Sequence, residues 1–481
     1  MAEQASPQTG RLLDVAAFLE GLGMTRFHTR LLVISCLVTF FDGLDFSLIA
    51  FTLPYLRDEM NLTDAMIGYV SAAAFVGQMI GSLIGSYIAD ILGRRPVILW
   101  CTVFGAALTF VTGFAQTPET LIALRFLGGI AIGGLLAPAW SINIETMPSG
   151  KKATAVTIIM LGFSAGGAAA GQVTNFIAPM HGWEGVFFFC GGMTALLAVV
   201  LQFVLPESVR WMTAKGKPMD RIVPMLKRFA PAADLGGYTG VMLSDEGKVS
   251  RKESPWAKFY ELFRGSLAII TPIIWATYFC SSFAIYLKSS FGLLFLEELG
   301  IARGTAANLS SIGGLTGAIA GVFLLGFTEK RGPVWIALAP LLGIPAALAI
   351  GWGLDSGPLF IPLVLFGSIM VGTGHAAVIS LTTIYYPSAV RSTGGGWASF
   401  MAKFAAVAAP ILGAHYFLAD KAAVLDGYVF TGLCLAGVVV GILALAFFAR
   451  RLHAERQADA AVAAEAAEAA IAEPSPAYQK A

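Results

Sequence analysis

The chain has 481 residues, 57% of them hydrophobic and 13% charged, and its mean hydropathy is +0.74, far too apolar for a soluble globular protein of this length. A formal net charge of +1 points to no polyanionic partner and excludes nucleic-acid binding as the organising function. What remains is a polytopic membrane protein with lipid around it, expected in a cell membrane and, for a bacterial source, the inner one.

The first 30 residues are mostly polar. Within them Leu12, Leu13, Val15, Ala16, Phe18 and Leu19 fit one side of a short surface helix. The apolar run that follows is too long for a removable signal peptide and lacks a cleavage site, so it is expected to stay as the first span. Twelve stretches are long enough to cross a hydrocarbon core of about 30 Å: 31–56, 66–89, 96–115, 120–142, 154–178, 185–205, 267–295, 305–327, 333–353, 359–384, 393–418 and 428–449.

The first span contains Asp42 and Asp45, which as i and i+3 share a helix face. A carboxylate at membrane depth is costly and marks a functional path. Further along, Arg125 falls in the fourth span, Lys288 in the seventh, His375 in the tenth, and Lys403 and His415 in the eleventh. Arg125, Lys288 and Lys403 are candidates to hold an anion, against the alternative that each snorkels to an interface. Tyr286 and Trp397 are candidate clamps for a planar ring, against plain packing. The two histidines are weaker candidates for a proton relay. Glycines at four-residue spacing (Gly77, Gly81, Gly85; Gly129, Gly133; Gly313, Gly317, Gly321) predict close helix contacts. All five cysteines fall within spans, as small apolar residues do.

Basic residues sort to one face. With an even number of spans both ends share a side, and that side holds Arg94, Arg95, Lys151, Lys152, Lys330, Arg331, Arg391 and the basic cluster between Arg210 and Arg264; the other holds only Arg57, Arg303 and Lys421. The positive-inside rule then predicts cytoplasmic termini. The expected organisation is a cytoplasmic N-terminal segment (1–30), a six-helix bundle (31–205), a charged cytoplasmic linker (206–266), a second six-helix bundle (267–449) and a cytoplasmic tail (450–481). The tail is Ala- and Glu-rich and ends in Pro474-Ser475-Pro476, which suits a solvated, frayed helix.

The halves echo each other at an offset of 239: Asp90 and Glu329, Gly93 and Gly332, Pro148 and Pro387, Ser149 and Ser388, Lys152 and Arg391, Thr154 and Thr393. A parallel repeat of six spans predicts a two-bundle transporter with its substrate site between the halves near the midplane.

The loop Gly85-Ser86-Tyr87-Ile88-Ala89-Asp90-Ile91-Leu92-Gly93-Arg94-Arg95 resembles the signature of the major facilitator superfamily between its second and third spans. The resemblance implies that superfamily's all-α fold, and gating roles for Asp90, Gly93, Arg94 and Arg95. Glu145, Lys152, Glu329 and Arg391, at span ends, are expected to join Asp90 in charge networks that open and close with the bundles. The stretch with Gly129, Gly133, Glu145 and Lys152, and Pro206-Glu207-Ser208-Val209-Arg210-Trp211, resemble sugar-porter patterns. More specifically, Phe41-Asp42-Gly43-Leu44-Asp45 and the stretch from Tyr386-Pro387 through Arg391 to Thr393-Gly394-Gly395-Gly396-Trp397-Ala398 resemble the aromatic acid:proton symporter branch. That branch has Gly-Arg-x-Gly where this chain has Ala402-Lys403-Phe404-Ala405, so a guanidinium fork is replaced by a point charge. The span-5 glycines lack the proline of efflux members, which favours uptake.

The expected protein is therefore a proton-coupled importer of a small organic acid, an aromatic carboxylate first. Asp45 and secondarily Asp42 take the proton, and the interior cations take the anion. It is expected to act as a monomer, with the proton as coupling ion and no cofactor or metal. No phosphate-cradling loop, metal cluster or nucleophile triad supports an enzyme. The alternatives are a sugar or polyol porter, a drug exporter, and a non-transporting receptor of the same fold.

Overall fold

The computed structural model describes residues 11–148, 150–235, 237–244 and 255–472. Ser149 of the internal repeat and the Pro474-Ser475-Pro476 end of the tail lie outside the described residues.

Strand β1 (Arg11–Asp14) and helix α1 (Val15–Gly21) precede α2 (Arg26–Met60), α3 (Asp64–Leu92), α4 (Arg94–Thr112), α5 (Pro118–Thr146) and α6 (Lys152–Val204). The connecting segment carries α7 (Val209–Ala214), α8 (Met219–Phe229), β2 (Tyr238–Met242) and α9 (Pro255–Glu261). The second half runs through α10 (Leu267–Glu298), α11 (Arg303–Arg331), α12 (Leu338–Gly351), α13 (Phe360–Val378), the short α14 (Leu381–Tyr385), α15 (Ser388–Phe417) and α16 (Lys421–Ala472).

Eleven helices among the described residues are long and apolar enough to cross a membrane. The 53 residues of α6 would reach roughly 80 Å at 1.5 Å per residue, more than twice a bilayer core. The run breaks at His181 (φ −129°, ψ 15°) and Gly182 (φ 67°, ψ 179°), a positive φ that glycine accepts freely. Two crossings therefore share α6, and the predicted twelve are present.

Small residues set the helix contacts. A Cβ on Gly43 or Gly166 would strike the backbone of Phe163 or Phe40, so α2 and the first half of α6 meet backbone to backbone. The Gly77 and Gly81 face of α3 lies in the same way on Phe126 and Ile130 of α5. The repeat also has a backbone counterpart. Gly93 (φ 114°, ψ 161°) ends α3 and Gly332 (φ 102°, ψ 162°) ends α11, so both members of this pair terminate a helix in the same positive-φ geometry.

The N-terminal segment departs from the expected surface helix. Arg11–Asp14 is extended and pairs in parallel with β2, Leu12 opposite Gly240 and Leu13 opposite Val241. Only from Val15 does the chain turn helical, with Asp14 accepting hydrogen bonds from the N–H groups of Ala16 and Ala17. Leu12 is exposed and Leu13 buried, the alternation of a strand. Leu13, Val15 and Leu19 bury against Val209, Ile222, Leu226 and Phe229. The connecting segment is thus a small folded unit with its own apolar core, built jointly with the N-terminal segment. Tertiary pairing overrode the local helical pattern.

Candidate functional site

Three helices of the first half converge on Asp45. Its Oδ1 accepts a hydrogen bond from Thr109 Oγ1 of α4 at 2.5 Å, and Arg125 Nη1 of α5 stands 3.9 Å away. Arg125 Nη2 donates to Thr112 Oγ1 at 3.0 Å, and the guanidinium lies over the Phe187 ring, 5.1 Å from its centroid. Both charged groups are buried, yet Asp45 Oδ2 and Arg125 Nε have no hydrogen-bond partner. The pair is loose, with unused valence at both ends.

The two residues border a cavity between the halves. Asp45, Arg125, Ser71 and Gln78 line it from the first half, and Ser289 and Ser290 of α10 from the second. Lys403 of α15 crosses the divide to donate to Gln78 Oε1 at 2.7 Å. Tyr286 meets Phe75, which also lines the cavity, edge to face with centroids 5.0 Å apart. A guanidinium, an ammonium at one remove, several hydroxyls and a facing aromatic pair suit a small planar anion bearing hydroxyl groups.

Asp42 shares its helix face with Asp45 but does not line the central cavity; both aspartates border a recess inside the first half, beside Cys101, Thr102 and Thr109. It is buried, and neither carboxylate oxygen has a partner.

Other predicted residues are not brought here. Lys288 donates to the Ser368 carbonyl at 3.1 Å and lines a separate chamber within the second half. Of these neighbours on α10, Ser289 and Ser290 and not Lys288 line the central cavity. Trp397 stacks on Trp275 at 5.9 Å and meets Phe259 of α9 at 4.8 Å, in an aromatic cluster at the connecting-segment end. His375 Nδ1 lies 3.1 Å from Ser281 Oγ, and His415 lies against Tyr416.

The loop after α3 is tied to its own half. Arg94 pairs with Asp90 at 3.2 Å and with Glu145 at 3.0 Å, and Ser208 Oγ also bonds Glu145. The N–H groups of Arg94 and Arg95 donate to Glu207, whose burial holds its carboxyl above the ordinary glutamate range against the pull of those donors. Trp211 Nε1 donates to the Asp90 carbonyl at 3.0 Å, and Arg95 Nε to the Leu205 carbonyl at 2.8 Å.

The wider charge network differs from expectation. Lys152 pairs with Glu20 of α1, because the N-terminal segment folds up against the start of α6. Arg391 donates to the Tyr386 carbonyl at 3.3 Å, while Glu329 is exposed and makes no ion pair among the described residues. Among the described residues, the ion pairs that join the halves lie on the opposite face. Arg57 meets Glu298 at 2.8 Å, and Arg303 bridges Asp58 at 2.9 Å and Glu297 while resting over Tyr55 at 4.4 Å. The sequence held a signal for this: that face has few cations, and a carboxylate follows Arg57 directly.

The profile of the Major Facilitator Superfamily matches residues 35–410. The chain belongs to the Major Facilitator Superfamily. It is a multi-pass membrane transporter of that superfamily and not an enzyme. Within the superfamily it is 28% identical over 407 residues to the 4-hydroxybenzoate transporter PcaK of Pseudomonas putida, covering 84% of this chain and 89% of that one. It is equally 28% identical over 413 residues to the gallate transporter of Pseudomonas putida, covering 85% and 89%. The solved structure of the xylose transporter XylE from E. coli superposes with a TM-score of 0.65 at 17% identity, over 88% of this chain and 99% of that one, and shares the superfamily fold.

Proposed function

We propose that this transporter imports a small aromatic carboxylate together with protons by alternating access. One observation carries the proposal: the Arg125 guanidinium and the Asp45 carboxylate meet loosely at a cavity lined by both halves. A guanidinium with spare donors binds a carboxylate by charge-assisted hydrogen bonds, and protonation of Asp45 frees Arg125 to do so. Phe75 gives the ring an aromatic wall, backed edge to face by Tyr286 from the other half. Ser71, Gln78, Ser289 and Ser290 supply partners for ring hydroxyls. The relatives' cargo of 4-hydroxybenzoate and gallate supports that chemistry.

With the termini in the cytoplasm, the closed face carrying the Arg57 and Arg303 ion pairs is the outer one. The cycle then runs as follows. Proton and acid enter from outside, the carboxylate replaces Asp45 on Arg125, the bundles rock, and both leave to the cytoplasm. A neutral sugar would leave the buried Arg125 without a ligand charge.

Proteoliposomes holding the full chain should accumulate labelled 4-hydroxybenzoate only under an inward proton gradient, and Asp45→Asn should abolish accumulation while sparing exchange. No gradient-dependent accumulation of any aromatic acid, or full accumulation by Asp45→Asn, would defeat the proposal.

A further inference from the structure

A second chamber lies wholly inside the second half, walled by α10, α11, α12, α13 and α16 and lined by apolar side chains that include Phe295, Leu309, Ile350 and Val364. Few polar groups reach it, and Lys288 is the charged one. Lys288 Nζ spends one donor on the Ser368 carbonyl, which leaves two of an ammonium's three. No carboxylate lines the chamber. The neighbouring Ser368 Oγ is buried without a hydrogen-bond partner. An ammonium held in an apolar interior without a counter-charge is unfavourable, and an anion in the chamber would offset that cost.

We propose that this chamber is a second binding site for a small monocarboxylate with an apolar body, separate from the cavity between the halves. The carboxylate accepts from Lys288 Nζ, and the body lies along Phe295 and Val364. Every wall belongs to one bundle. Rigid-body rocking between bundles therefore leaves the site assembled, so its occupant stays bound through the transport cycle and acts as a modulator of the second bundle, not as cargo.

The test is the number of labelled benzoate molecules bound per purified full-length chain at equilibrium, without a membrane or proton gradient. Lys288→Met should remove one bound benzoate per chain, and Val364→Trp, which fills the chamber but keeps the lysine, should remove the same one. Arg125→Gln should leave that benzoate in place, so failure of the central-cavity reading would remove only an Arg125-dependent fraction. Neutral benzamide should not compete for the Lys288-dependent fraction. Unchanged binding in Lys288→Met, or in Val364→Trp where the lysine variant does not fold, overturns the proposal. So does a parent chain that binds no benzoate sensitive to these substitutions.

Discussion

Two carboxylates three residues apart have different surroundings. Asp45 has a hydroxyl donor and a guanidinium; Asp42 has neither. Replacing Asp42 by the uncharged isostere Asn removes a buried group that has no partner to lose, so Asp42→Asn should leave thermal stability equal to or above that of the parent chain. Thr109→Val keeps shape but takes the donor from Asp45, and hydrogen bonds to charged groups are worth about 1.5–3 kcal/mol. That variant should melt lower than Asp42→Asn. Equal melting of the two variants would show that the Thr109 bond contributes nothing. Arg125→Lys keeps the charge and loses the fork, so the KM for 4-hydroxybenzoate should rise at least several-fold, with a smaller change in maximal rate.

At the scale of elements, the glycine faces carry the most direct stability prediction. Gly81 of α3 leaves no room for a Cβ against Ile130 of α5, and backbone cannot yield as a flexible side chain can. Gly81→Leu should therefore cost more than the 1–3 kcal/mol typical of overpacking and abolish folded protein in detergent, whereas Gly314→Leu, which meets nothing within 4 Å, should be tolerated. These contacts were legible in the sequence, since four-residue glycine spacing has one geometric meaning on a helix. So were the spans, and Asp45 and Arg125 as interior charges, because an ionisable residue in an apolar run stands out whatever its partners; which of the aspartates Arg125 meets was not. Rotational phase was not legible. Lys288, Ser289 and Ser290 are adjacent in sequence, and only the packed bundle decides which of them turns to the divide. The N-terminal strand was hidden for a related reason. Leu12 and Leu13 suit a strand or a helix equally, and the partner that decides, Tyr238–Met242, lies more than 200 residues away.

For the whole molecule, the placement of ion pairs defines a conformation. Arg57–Glu298 and Arg303–Asp58 join the halves on the face away from the connecting segment, while Arg94, Asp90 and Glu145 pair within one half and Glu329 pairs with none among the described residues. A state in which the first face opens must break at least two inter-half pairs. These pairs are only partly buried, so each is worth at most about 1 kcal/mol. Together with the Arg303 contact on Tyr55, they bias the equilibrium between the two facing states by an amount that a double substitution should make visible. Combining Arg57→Gln with Arg303→Gln should shift that equilibrium toward the state open on this face by roughly 5- to 30-fold, for a loss of about 1–2 kcal/mol. A cysteine placed at Ser289, which lines the central cavity, reports the shift as faster labelling by a membrane-impermeant maleimide from that face. The parent chain should show the same direction of change as salt rises, because partly exposed pairs are screened. Labelling that ignores both the substitutions and the salt would mean that helix packing alone, and not this charge cluster, holds the face closed.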